Sequence, residues 1–515
     1  MKTFSFWSMA AVMASFAMAQ TNPLPVVNLG FSAYNSQIEQ LRAQGIRIYS
    51  PKATVAQDLE PEYIAVSPDG RTAWVTLQEN NALAVIDLVR KEIVRLVPLG
   101  YKNHNLPGAG LDPSDKDGGI RIANWPVSGM YQPDAIAAFV VGGQTYLVTA
   151  NEGDTRGWTA FNEEKRVSAL KLDPTAFPDS LKADAALGRL TVTNQQGDTD
   201  GDGDVDRLFV PGTRSFSVWS AQGQLVYDSG DLIEQTVARQ YPNHFNAGHS
   251  NNTAEDRSDN KGPEPEGLVV GQVGSKPFLF LGLERMSGVM VFDLSNPVQP
   301  QLVQYFNNRN FAADVKTAAA GDLGPEGLTF IAASDSPTQN PLLVVANEIS
   351  GTTTVHAVSP AGQLSVVGSY RVPGDKVFDS GAAEIPAYDP ASKRLFVVNG
   401  FTRSVDVLNM ANPAAITLVT SLKVEGYNPN SVAVHSGLVA IALEDAANKT
   451  RPGLVAFFDA SGRERARVSV GALPDMLTFS PDGRSVLVAN EGEPSDDYSS
   501  DPEGSISLID VTSLR

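Results

Sequence analysis

Carboxylate side chains recur along this chain at a spacing suited to binding cations. A Pro followed by Glu or Asp opens one apolar run, and a second apolar run ends in Asn-Glu or a close variant. The clearest copies pair Pro133-Asp134 with Asn151-Glu152, Pro265-Glu266 with Leu283-Glu284, Pro325-Glu326 with Asn347-Glu348, and Pro474-Asp475 with Asn490-Glu491. Degraded copies pair Pro61-Glu62 with Gln78-Glu79, Ala383-Glu384 with Asn399-Gly400, and Pro429-Asn430 with Leu443-Glu444. Brought to one face, so many carboxylates cannot all ionise without cations or bridging water. A hard cation such as Ca²⁺, which takes about six to eight oxygen ligands, suits such a set. The plainer alternative is that each carboxylate caps neighbouring backbone N–H groups in the loops. Arg156, Arg285 and Arg403 follow the ends of the second runs and are placed to neutralise part of the set or to hold an anion.

A second acidic motif is local. Asp198, Asp200, Asp202 and Asp206 fall at relative positions 1, 3, 5 and 9, Gly203 at 6, and Asp204 between them. Alternate carboxylates around a Gly that permits a sharp turn begin a calcium loop. Position 12 is Phe209 rather than Glu, so the motif is no complete EF-hand. Two weaker loops, Asp112 to Gly118 and Glu493 to Glu503, either hold a cation or are simply solvated. The five His residues lack metalloprotease spacing, and no nucleophile elbow, P-loop or dinucleotide fingerprint appears.

The elements that must position these groups read as strands. Tyr146 to Ala150, Leu342 to Ala346, Arg394 to Val398 and Ser485 to Ala489 are short β-rich runs bounded by turn residues. Ser67-Pro68-Asp69-Gly70 and Ser480-Pro481-Asp482-Gly483 supply turns between strands. A third run ending in Asp follows in several repeats, and most carry a fourth. Glu384, Asn430 and Asp475 stand 46 and 45 residues apart, close to the ~40–45 of a four-stranded blade. The expected fold is therefore an all-β, seven-bladed β-propeller of four-stranded blades. The last repeat lacks an outer strand, so an N-terminal strand, Val26 to Gly30 or Gly45 to Ser50, is expected to close the ring. In an antiparallel blade the start of the first strand and the end of the second share an edge. Both halves of the acidic phrase should therefore meet around the axis. Insertions are expected at about 103–131, 153–214 and 231–265.

Acidic residues outnumber basic ones 58 to 39, a formal net charge of −19, which disfavours a nucleic-acid partner and favours metal cations. Residues 1–19 read as a secretory signal peptide, with an apolar stretch from Phe4 to Met18 and cleavage expected after Ala19. An N-terminal membrane anchor is the alternative. No later stretch approaches spanning length, so no membrane span is expected in the mature chain. The absence of Cys removes disulfides, thiolate metal sites and Cys nucleophiles.

The segment His249-Ser250-Asn251-Asn252 through Arg257-Ser258-Asp259-Asn260-Lys261-Gly262-Pro263-Glu264-Pro265-Glu266-Gly267 resembles the signature of the choice-of-anchor I domain family. Leu106 to Asp112, Asp115 to Ile120, Asn151 to Asp154 and Asn490 to Asp497 agree with it. The resemblance implies an exported bacterial propeller similar to mesenchyme-specific cell-surface glycoproteins, differing from other members in having no recognisable anchor. It also carries a label of alkaline phosphatase. A phosphomonoesterase of this kind would use Glu152, Asp154, Glu266, Glu284, Glu326, Glu348 and Glu491 at the central face as metal ligands or a water-activating base. Arg156, Lys261 or Arg285 would then meet phosphate oxygens, with calcium or another divalent metal as cofactor. The competing expectation is a non-catalytic surface or adhesion propeller whose calcium is structural.

Overall fold

The computed structural model describes residues 24–515, so the expected leader over residues 1–19 lies outside the described residues. Among them the chain is all-β, with a few short helices in the connections. Seven four-stranded antiparallel sheets follow one another along the sequence. Their first strands are Pro61–Val66, Ile136–Val141, Pro265–Val273, Pro325–Ile331, Pro386–Asp389, Tyr427–His435 and Pro474–Phe479.

Each sheet is apolar within and polar at its outer edge. The second strand of the fourth sheet, Leu342–Asn347, is buried at every position. The outermost strand of the fifth, Thr417–Leu422, is exposed at all but its last. A strand buried on both faces needs a continuous apolar run, and its neighbours supply the cover. Leu342 and Val344 of the fourth sheet share a cluster with Leu395 and Val397 of the fifth. Phe396 and Val398 continue to Val439 and Ile441 of the sixth, and Ala440 to Val486 of the seventh. Ala73 and Val75 of the first sheet pack with Leu487 and Ile506 of the seventh. Every sheet thus shares a core with the sheets before and after it, and the seventh shares one with the first.

The seventh sheet takes its outer strand from the other end of the chain. Val26–Gly30 pairs antiparallel with Ser505–Asp510, from Val26 opposite Ile509 to Gly30 opposite Ser505. The alternative, Gly45 to Ser50, forms no strand. It runs behind the first sheet with Ile46 and Ile48 buried in the core shared by the first and seventh sheets.

The inserted segments build structure of their own. Leu111, Trp125 and Val127 join Val167, Phe177, Leu187 and Val210 in a satellite core. Across it Val127–Met130 pairs with Tyr101–Asn103 and, in parallel, with Leu208–Val210. The third insertion carries the helix Leu232–Gln240, whose Ile233 and Val237 pack on the second and third sheets.

Candidate functional site

The acidic phrase acquires its geometry from a repeated backbone irregularity. Pro265 stands opposite Leu283, yet Leu268 stands opposite Leu281, so one extra residue is accommodated on the first strand. The same one-residue excess follows Pro61, Pro325 and Pro474, and in a shorter form it places Asn430 after Pro429. A β-bulge re-aims side chains and is common beside functional sites. Here it falls on Glu62, Glu266, Glu326, Asn430 and Asp475. Gly follows Glu in the third sheet because backbone approaches closely: a Cβ on Gly267 would lie 1.7 Å from the Glu326 carbonyl oxygen.

These side chains line a cavity of about 780 Å³ at one edge of the first strands. Glu62, Asp134, Glu266, Glu326, Glu384 and Asp475 enter from the first strands or just before them, and Glu152, Glu284 and Glu348 from the ends of the second. Asp154, Lys261 and Arg285 complete the wall.

Three sets of potential metal ligands draw on these lining residues. Glu152, Glu266 and Glu284 each offer an oxygen within 4.8 Å of the others. So do Glu62, Asp475 and Glu491, while His249 joins Glu284 and Glu348 in the third. Glu491 therefore approaches the cavity carboxylates from behind the lining residues. Oε2 of Glu266 is buried without a hydrogen-bond partner, an arrangement that costs free energy unless a ligand or ion meets it.

The electrostatics follow from crowding in a dry place. Burial, reinforced by neighbouring carboxylates, pushes Glu384 up to about 8. Burial and Glu284 do the same to Glu348, to about 8 despite the opposing charge of Arg285. Burial raises Glu152 and Asp154 to about 7 against the pull of Lys261, and Asp475 to about 7 with help from Glu493 and Glu444. Glu62, Asp134, Glu266, Glu326 and Glu491 are held well above the carboxylate range by the same two causes.

One carboxylate behaves oppositely. Burial disfavours the charge of Glu264, but Lys261, Arg285 and Arg257 overcome it and hold its pKa well below normal. Glu264 is fully buried and ion-pairs with Arg257 at 2.6 Å, Arg285 at 3.0 Å and Lys261 at 3.2 Å. Lys261 also pairs with Glu152 and donates to the Gly153 carbonyl at 2.6 Å. Glu264 thus anchors both cations of the wall. Its only sign in the sequence is the tandem Pro263-Glu264-Pro265-Glu266.

Other expected residues lie elsewhere. Arg156 is buried behind the wall, donating to the Asp58 carbonyl at 2.8 Å and pairing with Glu60 at 3.4 Å, so it does not face an anion in the cavity. Arg403 is exposed in a turn. Glu79 meets Glu60 and Arg156 in the same buried network, and Gln78 takes its place on the wall, donating to Glu152 at 3.0 Å. Glu444 accepts from Asn428 at 2.8 Å. In the local acidic loop Asp198, Asp200 and Asp206 converge, but Asp204 turns to Lys171 at 3.3 Å and Asp202 accepts the Asp204 backbone N–H. Of the weaker loops, Asp112 and Asp117 meet Glu255 of the third insertion, while Glu493 pairs with Lys449.

The profile of the choice-of-anchor I domain family matches residues 12–297 and 384–515, most of the chain. The chain belongs to this family. Among curated relatives of this choice-of-anchor I chain, Gigasin-3a of Magallana gigas is 32% identical over 191 residues, covering 35% of this chain and 67% of the relative. The mesenchyme-specific cell surface glycoprotein of Strongylocentrotus purpuratus is 27% identical over 351 residues, covering 56% of this chain and 45% of the relative, so the match spans less than half of that protein. Solved structures that align with the chain include the β-propeller domain of Myceliophteria thermophila Cps50 (Swd1), at 10% identity and TM-score 0.45, covering 88% of this chain and 97% of that one. Hydrazine synthase of Kuenenia stuttgartiensis aligns at 14% identity and TM-score 0.46, covering 90% and 99%. No helix among the described residues is long and apolar enough to cross a membrane.

Proposed function

We propose that this choice-of-anchor I protein is an exported seven-bladed β-propeller that holds divalent cations, calcium foremost, in its carboxylate-lined cavity. The observation that carries the reading is the set of carboxylate oxygens within 4.8 Å of one another, beside a Glu266 oxygen buried without a partner. Seven four-stranded sheets, the core common to the first and seventh, and the Val26–Gly30 strand support seven blades in a closed ring. The likeness to a cell surface glycoprotein supports an exported location. Asp198, Asp200 and Asp206 are a second calcium position, on the outside of the second insertion.

Metal-assisted phosphomonoester hydrolysis is the second reading. It is favoured by Lys261 and Arg285, two cations on the same wall as the carboxylate sets. A bound cation would supply charge stabilisation to a phosphoryl oxygen there, and Lys261 or Arg285 would orient the remaining oxygens. Their engagement with Glu264 favours a non-catalytic surface protein with rigidifying cations. Two measurements on purified protein separate these readings: calcium binding by calorimetry, and hydrolysis of a generic phosphomonoester with and without chelator. Cation binding that weakens in Glu266→Gln and Glu348→Gln supports the cavity, and turnover lost in the same variants supports the enzyme. Calcium binding without turnover leaves the surface protein, and no calcium binding at all refutes the proposal.

A further inference from the structure

Glu284 belongs to two ligand sets at once, one with Glu152 and Glu266 and one with His249 and Glu348. It caps the second strand of the third sheet, is 5% exposed, and its backbone N–H donates to the Glu264 carbonyl at 2.8 Å. A carboxylate has two oxygens, so a single side chain can serve both sets at once. We infer that Glu284 bridges two unlike cation positions, and that the position shared with His249 and Glu348 takes a first-row divalent ion such as Zn²⁺ while the other takes calcium. The inference rests on the reading that the cavity holds cations.

The chemistry of the donors separates the two positions. Glu152, Glu266 and Glu284 present only oxygen, which suits a hard ion. The second set adds an imidazole nitrogen, a donor that suits zinc and its neighbours and that calcium seldom uses. A shared carboxylate is compatible with two ions about 3.5–4 Å apart.

Arg285 Nη1 lies 2.9 Å from Glu284 Oε1 and within 2.8–2.9 Å of both ring nitrogens of His249. A guanidinium carries only donors, so Arg285 supplies beside Glu284 and His249 the positive charge that a bound ion would replace. Arg285 Nε keeps Glu264 at 3.0 Å, so the guanidinium can yield Glu284 to an ion without losing its other partner. The loop that carries His249 is also fixed in place. Buried Arg309 donates to the Gly248 carbonyl at 2.8 Å, the Asn251 carbonyl at 2.6 Å and the Arg285 carbonyl at 2.9 Å. One side chain thus ties the loop to the end of the strand that bears Glu284, the support a preorganised ligand set requires.

The experiment is Zn²⁺ calorimetry on the full chain after chelator treatment, in saturating Ca²⁺, with folding of each variant checked by circular dichroism. Wild type is expected to bind one Zn²⁺ under these conditions. His249→Gln should weaken that binding at least tenfold and leave Ca²⁺ binding alone, Glu284→Gln should weaken both, and Arg285→Gln should tighten Zn²⁺ by removing its competitor. If calcium binds but Zn²⁺ does not, or if His249→Gln binds Zn²⁺ as wild type does, the two-position inference is overturned and the calcium reading stands. An unchanged or weaker Zn²⁺ affinity in Arg285→Gln also counts against it. If neither ion binds, the underlying reading fails first.

Discussion

Replacing Glu384 with Gln should stabilise the protein at neutral pH and do almost nothing in acid. Glu384 stands just before the first strand of the fifth sheet and faces the cavity. Burial, then Glu348, Asp475 and Glu444, raise its pKa from 4.5 to about 8. A carboxyl with a raised folded-state pKa binds more protons in the native state than in the unfolded chain. Stability is therefore full below the unfolded value of 4.5 and is lost as pH rises toward 8. At about 1.4 kcal/mol per unit, the loss at pH 7 approaches ~3 kcal/mol, and water in the cavity screens this toward ~1–2 kcal/mol. Gln has nearly the same shape and no charge to lose, so the variant escapes the penalty. The assay is urea unfolding in chelator at pH 5 and pH 7. The variant should gain ~1–2 kcal/mol over wild type at pH 7 and less than ~1 kcal/mol at pH 5. Equal stability at both values, or a variant weaker at pH 7, would refute the claim that crowding burdens this carboxylate. Saturating Ca²⁺ should shrink the difference at pH 7, because an ion that relieves the crowd does so for wild type.

Gly267→Ala would set a Cβ 1.7 Å from the Glu326 carbonyl oxygen, and overpacking against backbone costs about 1–3 kcal/mol or more. A fall in thermal midpoint is expected, and an unchanged midpoint would mean that the third and fourth sheets separate freely at that point. A chain starting at Phe31 loses two buried leucines, Leu24 and Leu29, worth about 1.5–3 kcal/mol each, and bares the edge of Ser505–Asp510. Denaturation should shift by several kcal/mol and light scattering should show concentration-dependent association. A stable monomer would show that the edge is otherwise protected.

Strand identity and order were legible because each repeat carries an apolar run and a turn of its own, as in Ser480-Pro481-Asp482-Gly483 before Ser485–Asn490. The convergence of Glu266, Glu284, Glu326 and Glu348 was legible for the same reason, since strand polarity alone brings both halves of the phrase to one edge. What escaped depends on contacts between distant segments. Glu264 reads as one more acidic residue until Arg257, Lys261 and Arg285 are seen around it. Leu77 stands opposite Pro61 as Leu283 stands opposite Pro265, so Gln78 takes the place that Glu284 takes, and the acidic Glu79 falls one residue too late. Arg156 follows its strand as Arg285 does, yet it is drawn inward by Asp58 and Glu60, carboxylates contributed by the segment ahead of the first sheet. His249 stands in the family-signature segment, but its place beside Glu284 and Glu348 was not legible, because those companions lie on the third and fourth sheets.

The pairing of Val26–Gly30 with Ser505–Asp510 has a mechanical meaning. Val26 stands opposite Ile509, so the chain enters and leaves this strand pair at the same end. A pull that separates the two termini would peel the pair open one hydrogen bond at a time, the weakest way to load an antiparallel ladder, instead of shearing all its bonds together. A tether attached at one terminus only, with the opposing load borne by a ligand in the cavity, would put no such peeling force on that seam. Whether load is applied through one end of the chain or through both would therefore decide whether it reaches that seam at all.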